Sequence, residues 1–189
     1  SYPVQWQVAT DKNFGQIVQS GTAQADGGAD YTVKVDVTGL KPATTYYYRF
    51  MAGSATSTTG TTKTLPTGDV TQVKFAVISC SNFPAGYFHA YADIARQPVD
   101  AVIHLGDYIY EYGRTTTNSD GQTVTAYASA HAAELGREVK PTTELLAIND
   151  YRERYAQYRS DKDLQAMHAA LPMIAVWDDL EIANDAYTN

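Results

Sequence analysis

The chain has 189 residues, 44% hydrophobic and 12% aromatic, with 14 Lys and Arg against 21 Asp and Glu. Its apolar content excludes an intrinsically disordered segment, no run approaches the ~20 apolar residues of a membrane span, and a single cysteine, Cys80, excludes an internal disulfide framework. A net charge of −7 argues against nucleic acid as a partner, because phosphate contacts need a basic face. Ser1 is not followed by a basic and then an apolar stretch, so a targeting segment was either removed or never present.

The first third reads as β. Val4, Trp6 and Val8 alternate with polar neighbours, as do Tyr31, Val33, Val35 and Val37, and then Tyr46, Tyr48 and Phe50. Period-2 alternation rich in Val and Tyr predicts half-buried strands. Gly21, Asp26-Gly27-Gly28, Gly39, Pro42 and Gly53 are read as the turns between them. The threonine-rich stretch 53–64 fits a linker and an edge strand equally well. Leu65-Pro66-Thr67-Gly68 is a turn-rich joint, and charge changes across it. Residues 1–68 hold five Lys and Arg and four Asp (+1), and residues 69–189 hold nine and seventeen (−8), which sum to −7. All four histidines, Cys80 and every glutamate come after the joint. The groups that bind metals or move protons are therefore concentrated in the second part, and the expected domains are 1–68 and 69–189.

Beyond the joint the period changes. Val73 to Ser79 is a short apolar run, as expected of a strand buried on both faces. Tyr87 to Arg96 has a helical pattern, and Val99 to Leu105 is a second buried strand, ending in Gly106-Asp107. Residues 113–140 read as polar and irregular, with a short helix at Tyr127 to Ala133. Thr143 to Tyr158 is an amphipathic helix with Leu146, Tyr151, Tyr155 and Tyr158 on its apolar face. Ser160 and Asp163 are the expected cap of another helix, reaching Ala170. Pro172 to Trp177 is a third strand. The order β-α-β-insert-α-α-β predicts a layered α/β domain.

Polar groups stand just past each strand: Cys80 after the first, Asp107 and Tyr110 after the second, Asp178 and Asp179 after the third. Open α/β sheets bind ligands at the carboxyl ends of their strands. Acidic and thiol-bearing loops converging there repel one another unless a cation lies between them, which predicts a metal site.

Several stretches resemble a known family. Val37-Thr38-Gly39-Leu40-Lys41-Pro42-Ala43-Thr44-Thr45-Tyr46-Tyr47-Tyr48-Arg49-Phe50 is similar to the tyrosine corner of fibronectin type III-like β-sandwiches. By that resemblance Leu40 closes the core and Tyr46 bonds back to the corner backbone. Such sandwiches usually take about 100 residues, so one or two N-terminal strands are expected to be missing from residues 1–68. Ile78-Ser79-Cys80-Ser81-Asn82-Phe83, His104-Leu105-Gly106-Asp107-Tyr108-Ile109-Tyr110-Glu111-Tyr112 and Val176-Trp177-Asp178-Asp179-Leu180-Glu181-Ile182-Ala183-Asn184-Asp185 resemble the alkaline phosphatase D (PhoD-like) family of metallophosphoesterases, as does the segment 150–159. The resemblance implies a fibronectin III-like domain followed by the N-terminal half of an α/β metallophosphoesterase domain. It implies hydrolysis of phosphate mono- or diesters at two metal ions.

By the same resemblance Asp107 bridges the two metals, Tyr110 and Cys80 bind ferric iron, and Asp179 and Asn184 supply oxygen ligands to calcium. Asp178 is placed just outside the ligand sphere. Residue type alone equally permits zinc or manganese. The family reads Trp-Asp-Asp-His-Glu where this chain has Trp177-Asp178-Asp179-Leu180-Glu181. In related enzymes that histidine touches the phosphate and helps protonate the leaving group, so Leu180 at the catalytic position implies an impaired variant. His89, His104, His131 and His168 stand off the motif and read as packed or solvated.

The third strand is followed by few residues, and a metallophosphoesterase domain needs further strands bearing ligands. A C-terminal segment is expected to complete the domain, and residues 1–189 alone are expected to show negligible turnover. The alternatives are a phospholipase D-like esterase of the same family and a catalytically inactive binding module. Export by the twin-arginine route to the periplasm, cell wall or medium is implied by the resemblance.

Overall fold

Residues 1–126 and 129–185 are described by the structure, a computed structural model. They form two compact units: 1–74 with 98–100 and 168–172, and 75–97 with 101–126, 129–167 and 173–185.

The first unit is built on one five-stranded antiparallel sheet. Its strands are β1 (Tyr2–Ala9), β2 (Ile17–Ala25), β3 (Thr45–Ala52), β4 (Ala55–Thr56) and β5 (Gly60–Lys63). The order is β2-β1-β3, and β4 and β5 each pair with β3. The stretch 53–64 thus carries two short strands, β4 and β5, rather than being linker throughout. Gly21 is not a turn: it lies inside β2 opposite Trp6, and a Cβ there would stand 2.8 Å from the indole ring. Only glycine admits that close approach.

The strand expected from Tyr31 to Val37 is absent. Val33, Val35 and Val37 are half-buried and their neighbours exposed, so the alternation reported the facing correctly at the valines, whereas Tyr31 is 59% exposed and the segment joins no ladder. It is tied to the sheet by side chains, the Gln19 amide donating to the Thr38 carbonyl at 2.7 Å and the Tyr31 ring lying 6.0 Å from that of Tyr2. The Tyr46 hydroxyl is buried and accepts the Lys41 N–H at 2.9 Å, the bond expected of a tyrosine corner, and Leu40 is half-buried.

The second unit contains β6 (Phe75–Ile78), α1 (His89–Ile94), β7 (Ala101–His104), β8 (Thr115–Thr117), β9 (Thr123–Thr125), α2 (Ile148–Tyr158), α3 (Lys162–Ala170) as far as Met167, and β10 (Met173–Ala175). The strands β10-β7-β6 form a parallel sheet in which Ile174, Ile103 and Val77 share one row. The expectation of strands buried on both faces holds for one face only. Val102 and His104 are 0% exposed, whereas Val77 and Ile174, on the opposite face, are 58% and 60% exposed.

The region 113–140, expected to be irregular, includes the β8–β9 hairpin, whose turn is closed by the Asn118 side chain accepting the Asp120 and Gln122 N–H groups. Tyr127 and Ala128, the start of the helix expected at 127–133, lie outside the described residues, and 130–136 forms turns rather than helix.

The helix expected from Thr143 begins only at Ile148. The Leu145 N–H is committed to the Glu111 carbonyl (3.1 Å), the Arg114 N–H takes the Thr142 carbonyl (2.7 Å), and Leu146 is 85% exposed. Asp150 opens α2 by accepting the Leu146 and Ala147 N–H groups. The cap of α3 is Asp161 rather than Ser160. Asp161 Oδ1 accepts the Asp163 and Leu164 N–H groups, while the Ser160 hydroxyl turns back to the Gln157 carbonyl.

Candidate metal centre

The three parallel strands end side by side, and backbone bonds tie their loops together. The Leu105 N–H takes the Ile78 carbonyl and the Val176 N–H takes the His104 carbonyl. One step further, the Cys80 N–H reaches the Gly106 carbonyl (3.1 Å) and the Ser81 N–H reaches the Asp107 carbonyl (2.8 Å). Both turns pass through the left-handed region at side-chain-bearing residues, Cys80 at φ 60° and Asp107 at φ 54°. Such strain persists only where surrounding bonds hold it, and it gathers at functional sites.

Gly106 makes the approach possible. Its φ is +108°, and a Cβ there would lie 2.5 Å from both the backbone nitrogen and the Cβ of Asp178. Gly106→Ala should therefore force the Asp107 and Asp178 loops apart and cost about 3 kcal/mol, read as a lowered midpoint in thermal unfolding.

Asp107 is the centre of the group. The Cys80 thiol donates to its Oδ2 at 3.4 Å and the Tyr110 hydroxyl donates to the same oxygen at 3.3 Å. Asp107 Oδ1 is buried and has no partner among the described residues. Asp107, Asp178 and Asp179 offer ligand oxygens within 4.8 Å of one another. Burial pushes the Asp107 carboxyl above its ordinary pKa, and the charges of Asp178 and Glu181 push in the same direction. Tyr110 is likewise raised, by burial first and then by Asp107 and Cys80. A pocket that makes its own acids hard to ionise lacks positive charge, and a cation reverses both shifts. The orphaned Asp107 oxygen, the converging carboxylates and the thiol-plus-phenol pair fit a metal ion. Asp178, expected outside the ligand sphere, stands in the cluster.

Asn184 is held otherwise. Its side-chain amide donates to Asp185 Oδ2 at 3.0 Å, and its N–H donates to Glu111 Oε1 at 2.8 Å. Leu180 is 7% exposed, buried beside the cluster residues of its own turn. Two buried glutamates have roles that the motifs alone do not assign. Glu181 accepts the Tyr108 N–H with one oxygen and the Asp178 N–H with the other (2.9 Å), so one carboxylate joins two strand-end loops. Glu111 holds the Asn184 turn, and burial raises its carboxyl. The sequence carries little signal for either: Glu111 meets Asn184, and Glu181 meets Tyr108, across 73 residues, and only the Glu181 bond to Asp178 is local.

His104 is packed, as expected. Its Nδ1 accepts the Gly106 N–H (3.2 Å), which leaves the proton on Nε2 facing the Ser81 hydroxyl at 2.9 Å, and Ser81 in turn meets the Tyr91 hydroxyl. Burial lowers its pKa.

A parallel α/β sheet whose strand ends gather a thiol, a phenol and three carboxylates carries a candidate metal centre at the place where open sheets bind ligands. The family described as PhoD-like phosphatase matches residues 75–189, and its N-terminal domain matches residues 1–66. Alkaline phosphatase D of Bacillus subtilis (strain 168) is 43% identical over 189 residues, covering 99% of this chain and 30% of that protein. A solved structure of PhoD superposes with a TM-score of 0.85 at 41% identity, covering 97% of this chain and 33% of the other. The chain belongs to the PhoD-like phosphatase family. It spans about a third of the length of the relatives it matches. No helix among the described residues is long and apolar enough to cross a membrane.

Proposed function

We propose that this chain is the N-terminal part of a metal-dependent phosphoesterase acting on phosphate mono- or diesters, with residues 1–68 a fibronectin III-like domain and residues 69–189 the first half of the catalytic domain. The observation that carries the reading is the Asp107 carboxylate, with Cys80 and Tyr110 on one oxygen and the other buried and unpartnered among the described residues. In this reading Cys80 and Tyr110 would hold ferric iron, Asp178, Asp179 and Asn184 would supply oxygen ligands to calcium, and Asp107 would serve as a ligand to both ions. The bound metals would supply an acidified water and positive charge for the phosphoryl oxygens. The protein's own part is positional: Glu181 and the Gly106 turn hold the acidic loops close, and Tyr110 and Cys80 release their protons on metal binding.

The exposed apolar face of the parallel sheet supports a companion polypeptide that completes the domain, since parallel sheets are ordinarily covered on both faces. The reading also carries export to the periplasm, cell wall or medium, as in the family. A second reading, a non-catalytic binding module, is favoured by one feature: Leu180 offers no proton donor.

Elemental analysis with a visible spectrum tests the proposal. Stoichiometric iron with a charge-transfer band that Tyr110→Phe abolishes is the expected result. A chain that stays colourless and metal-free after exposure to ferric and calcium ions overturns it.

A further inference from the structure

We propose that Arg154 is a positioning residue for the metal loop, orienting Tyr110 through the backbone; this rests on the reading of Tyr110 as a ligand. Arg154 sits on α2 and is 0% exposed. Its guanidinium bonds to four backbone carbonyls: Nε to Lys140 (3.0 Å), Nη2 to Pro141 (3.0 Å), and Nη1 to both Tyr110 and Tyr112 (3.0 Å to the latter). Two of those carbonyls flank Glu111 in the loop that leaves the Asp107 turn. The other two belong to the strap before α2, which itself bonds back to the loop through the Arg114 N–H to Thr142 and the Leu145 N–H to Glu111.

Orienting carbonyls orients peptide planes, and the planes on either side of Glu111 set the course of the chain at Tyr110. The Tyr110 hydroxyl meets Asp107 Oδ2 at 3.3 Å. A guanidinium suits the task because its donors lie in a rigid planar fork, so one side chain fixes several acceptors at once. An ammonium keeps the charge but directs its three donors from a single point.

The other buried arginine of this unit supplies the contrast. Arg137 donates to Asp161 at 2.8 Å and to the Phe83 carbonyl at 2.7 Å, and it stacks on the Phe83 ring at 3.6 Å. It is tied to a carboxylate and aromatic packing, whereas Arg154 spends its donors on the loop of a candidate ligand.

The test adds ferric ion to the purified chain and its Arg154→Lys, Arg154→Met, Arg137→Lys and Tyr110→Phe variants. It tracks the dissociation constant, the charge-transfer band at saturating iron, far-UV circular dichroism and the unfolding midpoint. Arg154→Lys should keep the fold, weaken iron binding about tenfold or more, and displace or weaken the band at saturation. Arg137→Lys should lower the midpoint while leaving affinity and band as in the unsubstituted chain. Equal affinity changes in the two lysine variants would overturn the inference, and so would loss of the fold in both Arg154 variants, which would place Arg154 in the framework alone.

The role of Arg154 and the reading of Tyr110 fail separately. If Tyr110→Phe abolishes the band and Arg154→Lys leaves binding untouched, only the role of Arg154 falls. If Tyr110→Phe leaves the band in place, Tyr110 is no ligand, and the underlying reading falls with the inference.

Discussion

Asp107→Asn should remove cation binding and at the same time stabilise the cation-free chain. Both effects come from one arrangement. The carboxylate is 7% exposed, one oxygen has no partner among the described residues, and Asp178 and Asp179 stand within ligand distance. A buried polar atom without a partner costs ~1–3 kcal/mol, and neighbouring carboxylates add repulsion. An asparagine amide removes the charge and keeps the shape. The unfolding midpoint of metal-free protein should rise by ~2–4 °C, corresponding to ~1 kcal/mol for a chain of this size. Ferric or calcium affinity should fall ~100-fold or more, because an amide is a poor substitute for a carboxylate as a ligand to these hard cations. Calorimetry of the metal-free variant and a metal titration together check the opposed signs. A residue kept for stability would lose stability when replaced, so a fall in the midpoint would count against Asp107 as the centre of the site.

Leu180→His should do the opposite. Residues 1–189, placed in the matching third of the Bacillus subtilis alkaline phosphatase D, give a chimera in which phosphatase activity can be read. Restoring an imidazole at the motif position supplies a proton donor and phosphate contact, a contribution of ~10²- to 10⁴-fold in rate. The same change costs stability, because Leu180 is buried and a ring with two polar nitrogens replaces an isobutyl group there. A loss of ~1–2 kcal/mol is expected from burying an incompletely bonded polar group, read as a lowered midpoint. No gain in kcat/KM in a folded chimera would favour the non-catalytic reading.

The candidate site was largely legible because its residues stand at the ends of short apolar runs. Strand cores made of Phe75-Ala-Val-Ile78, Ala101-Val-Ile-His104 and Met173-Ile-Ala175 announce themselves, and each gives way to a polar loop within a few residues. Parallel pairing then makes the three exits neighbours. The clamps were less legible. Glu181 looks like any surface acid until the Tyr108 and Asp178 N–H groups are seen converging on it, and Arg154 looks like one basic residue in a charged helix until its carbonyl partners appear. Helix starts shifted for a related reason. Thr143 to Ala147 has helical periodicity, but its backbone groups were already claimed by the loop at 111–114.

Two places in the first unit mark the boundary between local and tertiary information. The alternation of Val33, Val35 and Val37 predicted which side chains turn inward and was correct about that, yet no ladder forms; Gly21 carried a turn signal and sits mid-strand under Trp6. By itself the sequence determined residue-level properties: which side chains seek an apolar neighbour, where turns interrupt them, and that acids and a thiol stand after the apolar runs of the second part. Only the tertiary structure decided pairing: that β2 rather than 31–37 flanks β1, that Asp178 joins Asp107, and that two buried arginines serve different partners. The physical reason is that facing is a preference each residue carries alone, whereas a ladder or a ligand cluster requires a second segment to arrive at hydrogen-bond distance, about 4.8 Å between strand axes, and the whole fold determines which segment that is.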